Sequence, residues 1–284
     1  MKRQIIVAID FSKNSQHALE YAVIIANTVS ADIMLVWVDK PESDESLYAN
    51  EVTEIRQEAK KRMEDWMKKY QPKLKTGKIT FKLRKGKVYK EVANMAKYHD
   101  AYLVLAGAHG VSGFESFWIG SNANKIVANC ECPVITIRDS FNVKKGLRKV
   151  VLPIDNSPST RQKVPFAMEF AKCFCSEIHV LQLFSSNLKA IQAQVTSYGN
   201  QVVKYLQEND VKCVVETVKA ENNTTATIKY AEEIGADLII IMTEQESSGN
   251  FILGPYAQQM VNNSPVPVMS VHPKATTTLA TGRF

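Results

Sequence analysis

The amino-acid sequence predicts an α/β protein made of two tandem, doubly wound, five-stranded parallel-sheet domains. The chain has 284 residues, whereas a single domain typically has about 100–200. The apolar segment at residues 5–10, which ends in an aspartate, reappears at residues 150–155. In both copies, short β-branched segments alternate with helical segments, which is the pattern of a parallel sheet with helices on both faces.

Two further segments repeat in the same order along the chain. Residues 101–105 reappear at 236–240, and residues 132–135 reappear at 266–269. The second offset is shorter than the first, so we expect shorter loops in the second copy. Repetition of several elements in one order indicates two copies of a single structural unit.

The joint between the copies is predicted within residues 142–146, a polar and basic stretch that ends in glycine. We therefore predict a first domain over residues 1–143 and a second over residues 147–273. Residues 274–284 contain four threonines and few apolar side chains, and we expect them to form a disordered tail.

In the first copy, the apolar segments predict strands, and the segments between them predict helices. Ser12 is a suitable N-cap for the first helix, because its side-chain oxygen can accept a hydrogen bond from a free backbone N–H. The predicted strands span residues 5–9, 33–38, 79–83, 103–106 and 134–137. The later predicted helices span residues 52–69, 88–98 and 121–128.

The composition is that of an ordinary globular protein, with 45% hydrophobic and 23% charged residues. No apolar segment approaches the roughly 18 residues of a membrane span, and the amino-terminal apolar segment is too short for a signal peptide. We therefore expect a cytoplasmic protein that does not enter a membrane.

The net charge of +6 is concentrated in the first copy. Between Lys60 and Lys90 there are 13 basic residues and two acidic ones. A charge run of this kind usually faces solvent, and we do not expect sequence-specific binding of nucleic acid. The alternative is a nucleic-acid-binding surface, whose affinity would fall steeply with salt.

Candidate binding residues follow the first and fourth predicted strands, at the edge where ligands of open parallel sheets bind. Asp10 ends the first strand, and its carboxylate can accept from a ribose hydroxyl or hold Mg²⁺ through water. Gly107 and Gly110 follow the fourth strand and can adopt positive φ, bringing backbone amides close to an anion. Gly120 and Ser121 then open a helix, where free amides favour a phosphate.

Other nucleotide-binding motifs are absent from the sequence. There is no G-x4-G-K-[ST] loop and no G-x-G-x-x-G, so neither a Walker-type NTPase nor a dinucleotide fold is supported. His109 can contact a phosphate or can simply be an exposed loop residue. Without an evident general base or arginine finger, we expect a binding protein with at most slow ATP hydrolysis.

The spacing of Gly107, Gly110 and Gly120-Ser121 resembles that of the universal stress protein family, whose nucleotide-binding members carry G-x2-G-x9-G-[ST]. The resemblance covers both copies, so the chain is similar to a tandem member. It implies an adenine nucleotide alpha hydrolase-like fold, ATP as ligand, and dimers formed through the last strand, here imitated by an internal pseudo-dimer. It also implies that adenine contacts the backbone of Val38 and that Asn122 follows the Gly-Ser pair in the site.

The second copy departs from this motif. Gly107 aligns with Met242 or Thr243, and Gly110 aligns with Gln245 or Glu246. Gly254-Pro255 replaces Gly120-Ser121, and proline lacks an amide that a phosphate would need. We therefore predict one ATP site per chain, in a regulatory stress-response protein. The alternative function is that of an interaction or scaffold protein of the same fold that binds no nucleotide.

Overall fold

The computed structural model describes residues 2–39, 49–108, 121–243 and 253–273. The chain divides into two compact units, unit 1 (Met1–Asp139) and unit 2 (Ser140–Phe284). No helix within the described ranges is both long enough and apolar enough to cross a membrane. The predicted disordered tail, residues 274–284, lies outside the described residues.

Unit 1 alternates strands and helices as predicted. Its strands are β1 (Gln4–Ile9), β2 (Asp32–Asp39), β3 (Ile79–Lys85), β4 (Leu103–Gly107) and β5 (Val134–Ile137). Its helices are α1 (Lys13–Val29), α2 (Ala49–Tyr70), α3 (Val88–Tyr98) and α4 (Ser121–Asn129). Ser12 caps α1 as expected, since its Oγ accepts a hydrogen bond from the Ser15 amide at 3.1 Å.

The strands of unit 1 are all parallel and lie in the order β3-β2-β1-β4-β5. The chain runs outward from β1 to β3, then returns and continues from β4 to β5 on the other side. Right-handed connections therefore place α1 and α2 on one face of the sheet and α3 and α4 on the other. The central strands are almost fully buried between these layers, as their apolar segments require.

Unit 2 repeats this architecture. Its strands β6 (Lys149–Ile154), β7 (Glu177–Phe184), β8 (Cys213–Lys219), β9 (Leu238–Met242) and β10 (Val268–Val271) are parallel. Their order is β10-β9-β6-β7-β8. Its helices are α5 (Val164–Phe174), α6 (Lys189–Glu208), α7 (Asn223–Glu233) and α8 (Pro255–Asn263). The predicted fold class, two doubly wound five-stranded parallel sheets in tandem, is therefore confirmed.

Candidate functional site

The strand order of unit 1 reverses between β1 and β4, which are hydrogen-bonded neighbours. The connections after these two strands leave on opposite faces of the sheet, so a crevice opens at their carboxyl ends. Asp10 directly follows β1, and Gly107 is the last residue of β4. The structure thus brings these two predicted site residues to the same edge of the sheet.

Asp10 is held in a tight turn at the start of α1. Its Oδ1 accepts hydrogen bonds from the Ser12 amide at 3.0 Å and from the Ser12 hydroxyl at 2.6 Å. The Asp10 amide in turn donates to Ser15 Oγ at 3.4 Å. Within the described part of the chain, no hydrogen bond or ion pair engages the second carboxylate oxygen of Asp10, which leaves it available to a ligand.

Gly107 has a different structural role from the one that the sequence suggested. Positive φ occurs at four other described glycines and not at Gly107, so the expected left-handed conformation is wrong for this residue. A Cβ atom on Gly107 would lie 2.7 Å from the Asn14 Cβ and 2.9 Å from the Asn14 carbonyl carbon. Glycine is required here because the first turn of α1 packs directly against the end of β4.

The remaining predicted site residues are only partly described. α4 begins at Ser121, as predicted, so a helix N-terminus follows the glycine loop; the side chain of Ser121 lies outside the described residues, as do His109, Gly110 and Gly120. Two other predicted site residues are described. Val38 is buried near the end of β2, and Asn122 is half-buried in the first turn of α4.

The aspartate turn recurs in unit 2. Asp155 Oδ1 accepts from the Ser157 amide at 2.9 Å and from the Ser157 hydroxyl at 2.6 Å. The Asp155 amide donates to Thr160 Oγ1 at 3.2 Å, as the Asp10 amide donates to Ser15. Because this geometry is present without the glycine motif, the turn has a structural role in starting the following helix.

Strand register resolves which residue of unit 2 stands in the position of Gly107. Gly107 pairs with Ile137, and Met242 pairs with Val271, at the last position of each strand pair. The next amide donates to the partner strand in both units, from Ala108 in unit 1 and from Thr243 in unit 2. Met242 therefore occupies the Gly107 position and is almost completely buried; Gln245 and Glu246 lie outside the described residues.

The helix starts of unit 2 differ from those of unit 1. A 3-10 turn at Pro158–Arg161 precedes α5, which begins only at Val164. α8 begins with Pro255, and its N-cap residue Gly254 supplies no side-chain hydrogen bond. Unit 2 thus lacks both the close α1-type packing and one of the helix-end amides that unit 1 offers.

Lys163 is a buried charge that the sequence interpretation missed. It is 2% exposed, and its Nζ donates to the Thr160 carbonyl oxygen at 2.5 Å and lies 3.4 Å from Thr160 Oγ1. Burial lowers the pKa of Lys163 to about 8, although the Asp155 carboxylate opposes the shift. An offset of 145 residues aligns Lys163 with Ala18, on the apolar face of α1, and this alignment was the signal that could have revealed it.

The basic residues between Lys60 and Lys90 are all exposed. They lie on α2, in the segment that follows it, on β3, which is the outer strand of the unit 1 order, and at the start of α3. Arg84 forms an ion pair with Glu91 at 2.8 Å. Exposed lysines on an outer strand also discourage pairing with other chains, which accounts for part of this charge without a ligand.

Comparison with known proteins identifies similar sequences for both units. The model of the universal stress protein family matches residues 1–138 and 146–272. The universal stress protein YxiE of Bacillus subtilis is 29% identical over 150 residues, covering 49% of this chain and all of that protein. A universal stress protein of Methanocaldococcus jannaschii is 24% identical over 144 residues, covering 48% of this chain and 82% of that protein.

A solved structure of a universal stress protein from Archaeoglobus fulgidus matches with a TM-score of 0.76 at 19% identity. The match covers 95% of this chain and 98% of that chain. At this level of identity the likeness concerns the fold.

Proposed function

The chain belongs to the universal stress protein family, and we propose that its unit 1 binds one ATP as a regulatory module in the stress response. The observation that carries the proposal is the difference between the two units at the carboxyl edge of their sheets. Unit 1 combines Gly107, a fixed aspartate and a helix that begins at Ser121. Unit 2 keeps the aspartate turn at Asp155 but has Met242 in the place of Gly107 and Pro255 at the start of the corresponding helix.

The phosphates would lie against the glycine loop and the N-terminus of α4, where free backbone amides and the helix dipole favour negative charge. The second oxygen of Asp10 would accept from a ribose hydroxyl or hold a water ligand of Mg²⁺. Among the described residues, no group of three or more His, Cys, Asp or Glu side chains could hold a metal ion. A magnesium ion here would therefore take most of its ligands from the phosphates and from water.

Within this proposal the protein is a binding module, with at most slow ATP hydrolysis. One carboxylate oxygen of Asp10 already accepts two hydrogen bonds from Ser12. This arrangement favours a role for Asp10 in positioning a ligand over a role as a general base. We further propose that the protein is cytoplasmic. We also propose that the two units pair through β5 and β10 as an internal pseudo-dimer. Association of two chains is a separate expectation.

One observation favours the alternative of an interaction protein that binds no nucleotide. The Asp10 turn recurs at Asp155 with closely matching distances, so its presence in unit 1 does not require a ligand. Mass spectrometry of small molecules released from the denatured, purified protein distinguishes the two functions. We expect close to one ATP or ADP per chain, and a protein that neither carries nor binds adenine nucleotide would favour the alternative.

A further inference from the structure

A cavity of about 340 Å³ lies in unit 1 between α2 and the carboxyl ends of β1 and β2. This volume falls within the roughly 300–1,000 Å³ of small-molecule sites. Its apolar walls are Phe11, Trp37, Ile55 and Ala59. The aromatic rings come from the sheet edge and the aliphatic groups come from α2.

The wall formed by Phe11 is packed against two side chains of α2. Phe11 has φ +62°, a left-handed conformation that is uncommon for a bulky residue. The rings of Phe11 and Trp66 form a T-shaped pair with 5.5 Å between centroids, and the Arg62 guanidinium lies 4.2 Å from the centroid of the Phe11 ring. A strained backbone kept in place by packing is typical of binding sites.

The charged groups that line the cavity are Glu54, Glu58 and Arg62, which succeed one another at four-residue intervals on one face of α2. Arg62 already stacks on Phe11. Neither glutamate has an ion-pair or hydrogen-bond partner within the described part of the chain. The cavity lining therefore contains two carboxylates without a partner among the described residues and one guanidinium that already stacks on an aromatic ring.

A third carboxylate lies nearby on β2. Asp39 is two residues beyond Trp37, so both side chains are on the same face of the sheet. The Oδ2 atom of Asp39 is buried and has no hydrogen-bond partner among the described residues. An unsatisfied buried acceptor is costly, although Asp39 is not among the described residues that line the cavity.

We propose that this cavity binds a small organic cation with an apolar body. The apolar part packs against Trp37 and Ile55, and the ammonium group lies beside Glu54 and Glu58. Tryptophan is the aromatic side chain that attracts cations most strongly, and a carboxylate forms its strongest hydrogen bonds with a charged donor. The proposed cation site uses the α2 face of unit 1 and not the glycine loop, although Phe11 and Trp37 adjoin Asp10 and Val38 in the sequence.

Three probes with one phenyl ring and similar length test the charge preference: phenethylamine, 2-phenylethanol and 3-phenylpropionate. Calorimetric titration of the full chain should give an affinity for the amine about tenfold or more above that for the alcohol, which is one power of ten in Kd. The anion should bind more weakly than the alcohol. Equal affinity for the three probes, tighter binding of the alcohol or the anion, or no binding of the amine would overturn the proposal.

The Glu58→Gln variant localises the effect. Glu58 is exposed, so the substitution should leave the fold intact, as a circular dichroism melt would verify. It should weaken phenethylamine binding several-fold and leave 2-phenylethanol binding unchanged. The matched control is Asp65→Asn, an exposed acidic residue of α2 outside the cavity. The same loss of amine binding in both variants would mean a diffuse charge effect and would refute a site in this cavity.

Discussion

Replacing Lys163 with methionine should remove a specific pH dependence of stability. The ammonium group is fully buried, and its pKa falls from 10.5 to about 8. Between these two pH values the unfolded chain keeps a proton that the folded chain has released. The free energy of unfolding of the wild-type protein therefore rises with pH across this window, since the unfolded state binds more protons.

The size of the effect follows from the shift. One pKa unit corresponds to about 1.4 kcal/mol, so the rise between pH 8 and 10.5 amounts to about 3 kcal/mol. Lys163→Met also leaves the Thr160 carbonyl without the bond from Nζ, but that loss does not change with pH. The difference in unfolding free energy between wild type and variant should therefore move by about 3 kcal/mol in favour of the wild type as the pH rises.

Urea titrations followed by circular dichroism at pH 7, 9 and 10.5 measure this difference. The three tryptophans, at positions 37, 66 and 118, all precede unit 2. Tryptophan fluorescence therefore reports the unfolding of unit 1, whereas circular dichroism reports the unfolding of both units. Parallel pH profiles of wild type and variant in circular dichroism would refute the inferred burial of a charged lysine.

Four other outcomes are expected. Titration calorimetry with ATP and Mg²⁺ should give close to one site per chain, and two sites would contradict the proposal. Gly110→Glu should abolish ATP binding by placing bulk and negative charge near the phosphates, whereas Glu246→Ala should not affect it. Gly107→Ala should lower the unfolding free energy by about 1–3 kcal/mol through overpacking against α1, and unchanged stability in urea titration would refute the close contact. Any binding of duplex DNA by the surface between Lys60 and Lys90 should weaken steeply with salt in fluorescence anisotropy; submicromolar affinity for one sequence at physiological salt would contradict a solvated face. Variants with one cysteine introduced into β5 and one into β10 should cross-link within a single chain. Failure to cross-link at every tested pair would argue against the internal pseudo-dimer.

The order and type of the elements could be predicted because each is encoded locally. The segment at residues 5–9 is β-branched and apolar, and it lies within the observed strand Gln4–Ile9. Ser12 signals a helix start by its own chemistry, and the structure places its oxygen on the Ser15 amide. Repetition of residues 5–10 at 150–155 then carried the prediction to the second unit.

The site was predictable as a place but not in its contacts. Parallel strands align their carboxyl ends, so Asp10 and Gly107 had to lie at one edge of the sheet. The sequence motif assigned Gly107 a positive φ, whereas the tertiary structure uses its missing side chain to admit Asn14, which is 93 residues away along the chain. The pattern of apolar residues within one segment of the sequence does not predict which other segment it will contact.

The sequence by itself determined the fold class, the duplication and the loss of the glycine motif from the second copy. Tertiary structure alone decided that Met242 takes the place of Gly107, because strand register is set by pairing between segments. It also decided that Lys163 is buried and that Phe11, Trp37 and one face of α2 line an open cavity. Burial and cavities depend on how side chains from distant segments fill a common space, and that packing is a property of the assembled fold.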